Sequence, residues 1–307
     1  MLGSQLVFRR LILGVAGNPL VSRMVTRHGL SLGARRFVAG ETLEEGLRVV
    51  AALRARGMSA TLDYLGEKVT DLAAARQAAS TYCEMLRALS AAGLGPNVSL
   101  KLSQLGLTID PGACLADVRR VVEVAAELGG FVRLDMEESA LVDDTLTIYR
   151  ALVREFPGRV GIVLQAYLYR TQTDLRGLLP LGPNVRLCKG AYSEPPSVAY
   201  PRKRDVDASF LRLLELALRE AAFTAVATHD ERIIREAKRM IVEADARGRA
   251  EFQMLFGVKP RLQQALVDEG WPLRIYVPFG THWYPYFVRR LAERPANLAF
   301  VLRGLRG

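Results

Sequence analysis

The sequence predicts an α/β protein folded as a closed (β/α)8 barrel. Eight short apolar runs, most of them ending in a polar residue, alternate with amphipathic helical stretches along the 307 residues. Short apolar strands separated by helices indicate parallel pairing through crossover connections, and eight such units are typical of a barrel. An open doubly wound sheet is the alternative. However, its usual glycine-rich phosphate turn, G-x-G-x-x-G or G-x-x-x-x-G-K, does not occur here.

Strands are predicted at residues 59–63, 98–101, 131–135, 160–165, 185–189, 223–229, 251–255 and 273–277. The most regular helical patterns between them cover residues 72–91, 115–128, 141–156, 208–222 and 231–246. Apolar residues recur there three and four positions apart, as in helices that pack on a sheet. We therefore predict a barrel domain over residues 51–307.

Residues 1–50 are predicted to form a separate helical segment before the barrel. Basic and apolar side chains are mixed there, which fits either a helical pair covering one end of the domain or an amphipathic surface that touches a membrane. Thr42 and Glu45 have the spacing of a capping box, which predicts a helix start. Arg9 and Arg10 precede a short apolar run without a clear cleavage site, so we do not expect secretion.

Charge and cysteine content restrict the partners and the compartment. The net charge of +10 favours anionic partners, such as a phosphorylated cofactor, a carboxylate substrate or an acidic lipid surface. No nucleic acid is expected, because the basic residues are scattered among helices and form no nucleic-acid-binding motif. Three widely spaced cysteines fit a reducing, cytoplasmic compartment. With three histidines they form no zinc-type spacing, so no metal is predicted.

Polar residues recur where the predicted strands end. They are Glu67, Lys101, Asp135, Gln165, Lys189, Thr228, His229, Asp230 and Tyr276. Each alone is compatible with a helix cap or a strand-end ion pair. Because the carboxyl ends of the strands carry the active site in this kind of barrel, together they favour a polar-lined mouth.

Several chemistries remain open at this mouth. Lys101 and Asp135 follow neighbouring strands and are expected to pair, although Lys101 or Lys189 would also suit a Schiff-base aldolase. Asp135 with Glu137 and Glu138 raises the possibility of a metal site, which no histidine pair supports. Lys189 and the small residues that follow it suit a diphosphate; a solvated strand-to-loop turn is the alternative.

The segment from Tyr276 onward predicts a strand end, a turn and a closing helix. On that helix Tyr286, Arg289 or Arg290, and Glu293 share one face, because residues three and four apart are neighbours. Arginine suits a planar carboxylate, which it grips with two parallel hydrogen bonds. A solvated amphipathic helix with an internal ion pair is the alternative interpretation.

Six segments, taken in order, resemble the monofunctional bacterial proline dehydrogenase family. They are Leu100-Lys101-Leu102-Ser103-Gln104-Leu105-Gly106, Val132-Arg133-Leu134-Asp135-Met136-Glu137, Gly161-Ile162-Val163-Leu164-Gln165-Ala166-Tyr167-Leu168, Arg186-Leu187-Cys188-Lys189-Gly190-Ala191-Tyr192, Ala227-Thr228-His229-Asp230, and Tyr276-Val277-Pro278-Phe279-Gly280 with Tyr286-Phe287-Val288-Arg289-Arg290-Leu291-Ala292-Glu293. The resemblance implies a distorted (β/α)8 barrel of the TIM type that binds FAD without a Rossmann domain, with extra N-terminal helices and a final helix over the mouth.

The resemblance also implies roles for individual residues. Arg289 and Arg290 would bind the carboxylate of L-proline, and Glu293 would orient an arginine. Tyr276 and Tyr286 would pack near the substrate ring, Lys101 with Asp135 would close the pocket beneath it, and Arg186 would lie beside the flavin, with Asp135 and Arg186 as the catalytic pair. The other flavin-contacting positions correspond to Met136, Gln165, Lys189, Gly190, Ala191, Thr228 and His229. Cys188 stands where the family usually has an aliphatic residue.

The implied reaction is the first step of proline catabolism to glutamate. Hydride would pass from C5 of L-proline to flavin N5, giving Δ1-pyrroline-5-carboxylate for a downstream pyrroline-5-carboxylate dehydrogenase. A membrane quinone would reoxidise the flavin, with the cytoplasmic protein in peripheral contact with the membrane. A Schiff-base aldolase and a non-catalytic, anion-binding barrel remain the alternatives.

Overall fold

A closed barrel of eight parallel strands forms the centre of the protein. The computed structural model describes residues 34–66 and 68–293, apart from the side chains of Arg289, Leu291, Ala292 and Glu293. The strands are β1 (Ser59–Tyr64), β2 (Asn97–Leu100), β3 (Phe131–Leu134), β4 (Val160–Gln165), β5 (Asn184–Cys188), β6 (Phe223–Ala227), β7 (Ala250–Leu255) and β8 (Leu273–Phe279). They neighbour one another in sequence order, and β8 closes the ring by pairing with β1. The predicted barrel is confirmed and the open sheet is wrong.

Nine helices of eight or more residues occur in the described part of the chain. They are α1 (Leu43–Arg54), α2 (Leu72–Ala91), α3 (Pro111–Glu127), α4 (Val142–Glu155), α5 (Thr171–Leu178), α6 (Lys203–Glu220), α7 (Glu231–Glu243), α8 (Pro260–Asp268) and α9 (Trp283–Glu293). Short 3-10 turns lie at Ala34–Arg36, Leu102–Leu105, Ser139–Leu141, Leu179–Leu181 and Arg247–Arg249. The capping box of Thr42 and Glu45 opens α1 as predicted. The sequence analysis missed α5 and α8, because about two turns carry too little periodicity to stand out.

The two faces of each strand bury different chemistry. On β5, Val185 and Leu187 belong to the large apolar core, whereas Arg186 points into the barrel interior, where it bonds to side chains of other strands. This alternation follows from the two-residue period of a strand. The barrel interior consequently contains buried polar groups, including Ser99 and Gln253.

A second, smaller apolar cluster fastens α9 over the barrel mouth. It consists of Ala34, Phe37, Val38, Leu65, Trp283, Tyr286 and Phe287. Two backbone bonds tie the segment before α1 to the end of β8: Ala39 N–H donates to Pro278 O at 2.8 Å, and Gly280 N–H donates to Gly40 O at 3.0 Å. The predicted closing helix therefore packs on the barrel.

Some predictions fall on residues that the structure does not describe. Residues 1–33, Glu67 and the side chains of Arg289 and Glu293 are among them. The division of the chain at residue 50 and the membrane contact of the N-terminal segment stay predictions. Within residues 34–66 and 68–293, no helix combines the length and the apolar character needed to span a bilayer.

Candidate active site

One cavity of about 770 Å³ opens where the carboxyl ends of the strands meet α9. Its wall includes every predicted site residue whose side chain is described: Lys101, Asp135, Met136, Gln165, Arg186, Lys189, Gly190, Ala191, Thr228, His229, Tyr276, Tyr286 and Arg290. The volume lies within the range usual for small-molecule and cofactor sites. Residues spread over nearly 200 positions of the sequence are thus brought to one cavity, while their individual roles stay predictions.

A guanidinium and an ammonium share one carboxylate at the floor of the cavity. Arg186 Nη1 donates to Asp135 Oδ1 at 2.8 Å, and the hydroxyl of Tyr276 donates to Asp135 Oδ2 at 2.8 Å. Lys101 Nζ lies 3.6 Å from the same Oδ2 and donates to the Tyr276 hydroxyl at 3.2 Å. The predicted pairing of Lys101 with Asp135 is present, and Tyr276 connects the two.

Asp63 is a buried partner of Lys101 that the sequence analysis missed. Lys101 Nζ donates to Asp63 Oδ1 at 3.3 Å. Burial raises the pKa of the Asp63 carboxyl, and the positive charge of Lys101 opposes that rise. The available signal in the sequence was the position of Asp63, which is the polar residue that ends the predicted strand at residues 59–63. Our interpretation instead used Glu67, which lies outside the described residues.

Lys189 is held between two carboxylates at the rim. Its Nζ donates to Asp207 Oδ1 at 2.6 Å and to Asp230 Oδ2 at 2.8 Å, and Lys203 contacts the same two aspartates. Although burial alone would raise the pKa of Asp230, hydrogen bonds from Lys189 and Lys203 lower it well below its usual range. A Schiff-base lysine must be neutral to attack a carbonyl. Lys189 and Lys101 are each ion-paired with two carboxylates, which engage the nitrogen that would have to attack and weigh against an aldolase.

The carboxylates considered as metal ligands face different partners. Glu137 accepts hydrogen bonds from the backbone N–H and the hydroxyl of Ser103, at 2.9 and 2.5 Å. Glu138 pairs with Lys68 at 2.7 Å, while Asp135 binds the groups described above. These contacts link loops around the mouth, so the carboxylates do not converge on one point.

Gly190 lies at a turn where no side chain fits, and the close approach of a ligand to its backbone stays a prediction. Its φ angle is +112°, and an added Cβ would lie 2.2 Å from Cδ1 of Tyr167. Lys189, Lys203 and Lys259 also line the cavity, where their ion-pair partners are Asp207, Asp230 and Glu231. A side-chain-free backbone beside cations fits the diphosphate of a dinucleotide cofactor. His229 is fixed nearby, because its Nε2 accepts the backbone N–H of Leu255 at 2.9 Å.

Helix α9 brings Tyr286 and Arg290 to the cavity. Only 8% of Arg290 is exposed, and its guanidinium carbon lies 5.2 Å from the centroid of the Tyr286 ring. Arg290 thus lines the same cavity as Lys101 and Asp135, and this helix face is not a solvated surface. Arg289 and Glu293, the other charged residues predicted to act on this helix, have side chains outside the described residues.

Comparison with known proteins assigns the family. The family model described as proline dehydrogenase matches residues 47–303. The chain belongs to the proline dehydrogenase family. As a member of this family it is an oxidoreductase of proline metabolism.

Two relatives match almost end to end. Proline dehydrogenase 1 of Bacillus subtilis (strain 168) is 42% identical over 300 residues, which cover 97% of this chain and 99% of the relative. Proline dehydrogenase of Deinococcus radiodurans is 43% identical over 304 residues, covering 97% of this chain and 98% of the relative. The resemblance found in the sequence is therefore confirmed over almost the whole chain.

A solved structure shares the barrel. Proline utilization A from Bdellovibrio bacteriovorus, inactivated by N-propargylglycine, superimposes with a TM-score of 0.82 at 26% identity over 89% of this chain. The chain spans about a third of the length of that protein, since the match covers 33% of it. This chain is therefore similar to one part of that larger protein.

Proposed function

We propose that this proline dehydrogenase oxidises L-proline to Δ1-pyrroline-5-carboxylate with FAD as its cofactor, by hydride transfer from C5 to flavin N5. The observation that carries the proposal is the meeting, in one cavity, of Arg290 and Tyr286 from α9 with Lys101, Asp135 and Arg186 from the strand ends. Arg290, which can bind a carboxylate, thus lines the same cavity as the buried Lys101.

The cofactor would lie along the side of the cavity formed by the ends of β3, β4, β5 and β6. The residues that would hold it are Met136, Gln165, Lys189, Gly190, Ala191, Thr228 and His229. Gly190 and the neighbouring lysines suit the diphosphate, and Met136 offers an apolar surface to an aromatic ring. FAD supplies the two-electron acceptor that no side chain of the chain can provide.

The substrate would be held by α9. Arg290, with Arg289 as the proposed second arginine and Glu293 to orient one of them, would bind the proline carboxylate. Tyr276 and Tyr286 would pack against the ring. Such positioning can lower a reaction barrier by about 7–11 kcal/mol when the reacting groups are well aligned.

The charges of the cavity would prepare the substrate amine. The amine must lose its proton before its lone pair can assist departure of hydride from C5. Arg290, Lys101 and the proposed Arg289 would place positive charge around the substrate, which disfavours a protonated amine. Asp135 holds Arg186 in place, and a fixed guanidinium stabilises negative charge that develops beside it.

The electrons and the product would leave to separate partners. We propose a membrane quinone as the electron acceptor, peripheral contact of a cytoplasmic protein with the membrane, and a pyrroline-5-carboxylate dehydrogenase as the next enzyme. Deletion of residues 1–33 tests the membrane contact. Loss of binding to anionic vesicles and of quinone-linked activity is expected, and unchanged values for both would refute it.

The absorption spectrum of the purified protein tests the central proposal. We expect a flavin spectrum that bleaches when L-proline is added under anaerobic conditions and does not bleach with D-proline. A colourless protein that takes up no FAD would refute the proposal. Trapping of a carbonyl substrate by borohydride, or salt-dependent binding of nucleic acid by such a protein, would point to the two alternatives.

A further inference from the structure

The guanidinium of Arg186 is fixed by side chains of three other parts of the barrel. Its Nε donates to Gln253 Oε1 at 2.5 Å, Nη1 to Asp135 Oδ1 at 2.8 Å and Nη2 to Ser99 Oγ at 2.9 Å. The Ser99 hydroxyl is in turn 2.9 Å from the hydroxyl of Thr61. Only 6% of Arg186 is exposed, so its orientation depends on these partners rather than on water.

Gln253 is the partner whose orientation is not settled by its own chemistry. An amide carries a donor on one side and an acceptor on the other, and Arg186 Nε can only donate. Gln253 must therefore present Oε1 to Arg186. If the amide turned over, its NH2 group would meet Nε–H, and two donors would face each other in a buried place.

Glu251 holds that amide in the same orientation from its other side. Gln253 Nε2 donates to Glu251 Oε1 at 2.6 Å, and an ionised carboxylate can only accept. Arg274 Nε donates to the same oxygen at 2.8 Å, and Arg274 Nη1 donates to Ala60 O at 2.9 Å. Glu251 is 7% exposed and does not line the cavity, while Gln253 and Arg186 do. The chain of contacts runs from Arg274 through Glu251 and Gln253 to Arg186.

We propose that Glu251 is a positioning residue for Arg186 and acts through the Gln253 amide. This inference rests on the proposed function, because its effect is felt where Arg186 lies beside the flavin. Because Glu251 accepts from Gln253 Nε2, the acceptor side of Gln253 is kept toward Arg186. The positive charge is then held at one place rather than shared among several orientations. A charge that needs no reorganisation stabilises an electron-rich partner most strongly.

The competing role for Glu251 is structural, as the counter-ion of Arg274. Both roles predict a loss of stability when Glu251 is neutralised. Removal of the Glu251 charge by itself would raise the equilibrium constant for reducing the flavin. Only the positioning role predicts a fall in that constant, and only that role requires Gln253. The two roles are therefore separated by the reduction equilibrium of the bound flavin and by its dependence on Gln253.

The test compares three variants of the FAD-loaded, full-length chain: Glu251→Gln, Gln253→Met and the double variant. In Glu251→Gln we expect the equilibrium constant for reducing the flavin against a reference dye to fall about tenfold, which is about 30 mV for a two-electron couple. In the Gln253→Met background the same change at Glu251 should shift the constant less than twofold, since neighbours acting through one another are not additive. Glu243→Gln, on the exposed face of α7, is the matched control.

The outcomes are distinguishable. A constant within twofold of the unmodified protein in Glu251→Gln, or an undiminished shift in the Gln253→Met background, overturns the inference while proline still bleaches the flavin. If Glu251→Gln does not fold, Gln253→Met alone decides: a fall in the constant supports the role of the amide, and an unchanged constant overturns it. An unmodified protein without flavin would instead refute the proposed function.

Discussion

Replacing Gly190 with alanine should damage the proposed cofactor side of the cavity as well as the fold. Gly190 lies directly after β5, at a φ of +112°. An added Cβ would lie 2.2 to 2.6 Å from three atoms of the Tyr167 ring, and Tyr167 is itself buried. The rigid ring cannot move aside as the end of a flexible side chain could.

Two costs combine at this position. A backbone conformation that side chains rarely adopt costs about 1–3 kcal/mol, and overpacking in a buried place costs about 1–3 kcal/mol. Their sum, about 2–6 kcal/mol, is a large part of the 5–15 kcal/mol typical of a whole domain. Local movement of the backbone after Lys189 would relieve part of it, and that movement would displace the proposed diphosphate site.

Two further glycines separate strain from collision. Gly95→Ala has the strain alone, because Gly95 has a φ of +74° with nothing within 4 Å of the added Cβ; we expect a loss of about 1–2 kcal/mol. Gly248→Ala has neither, since nothing lies within 4 Å there, and should change stability by less than about 0.5 kcal/mol.

The assay combines urea unfolding followed by circular dichroism with the ratio of flavin to protein absorbance. Gly190→Ala should lose at least about 2 kcal/mol and most of its flavin, while both control variants keep theirs. A Gly190→Ala protein with unchanged stability and full flavin content would refute the assignment of this turn.

Three other perturbations test separate parts of the site. Arg290→Ala should raise the KM for proline by a factor corresponding to about 2–5 kcal/mol and leave flavin content unchanged; an unchanged KM in steady-state assays would show that the helix face is misassigned. Trp283→Phe removes the hydrogen bond from Trp283 Nε1 to Glu41 Oε1 at 3.0 Å and should destabilise by about 1–2 kcal/mol. It should also raise the KM for proline, because α9 is held less firmly. An unchanged thermal midpoint would contradict the stabilising role of this hydrogen bond. Asp230→Asn should cost about 1–2 kcal/mol at pH 7. Because the pKa of Asp230 is lowered in the fold, its stabilisation is present above about pH 4 and lost as pH falls further. The difference in unfolding free energy from the unmodified protein should therefore shrink between pH 4 and pH 2, and a constant difference would exclude the ionic role.

Most of the architecture was predictable because it depends on local sequence patterns, such as apolar runs and helical periodicity. The run at residues 160–165 matches β4 residue for residue, and the pattern at 72–91 matches α2. The capping box before α1 is equally local. The helices that escaped prediction, α5 and α8, have only eight and nine residues. For α8 a proline at the first helical position was the available signal.

The sequence indicated most of the residues that line the site, but fewer of the contacts between them. Polar residues at strand ends marked Lys101, Asp135 and Lys189, and the resemblance supplied Arg186. Asp63 and Gln253 were missed, although both are in contact with those residues. A polar residue within a strand has the same local pattern whether it faces solvent or the inside of a closed barrel, so its partner cannot be deduced from the strand alone.

The sequence by itself determined the alternation of strands and helices, the end of the barrel at which polar residues gather, and the family. Those properties depend on periodicity and on the order of motifs along the chain. Only the tertiary structure decided which charges share a carboxylate, which amide side faces Arg186, and that α9 is held over the mouth by the segment before α1. The physical reason is barrel closure, which brings β1 against β8 and places residues from distant strands within hydrogen-bond distance across a buried interior.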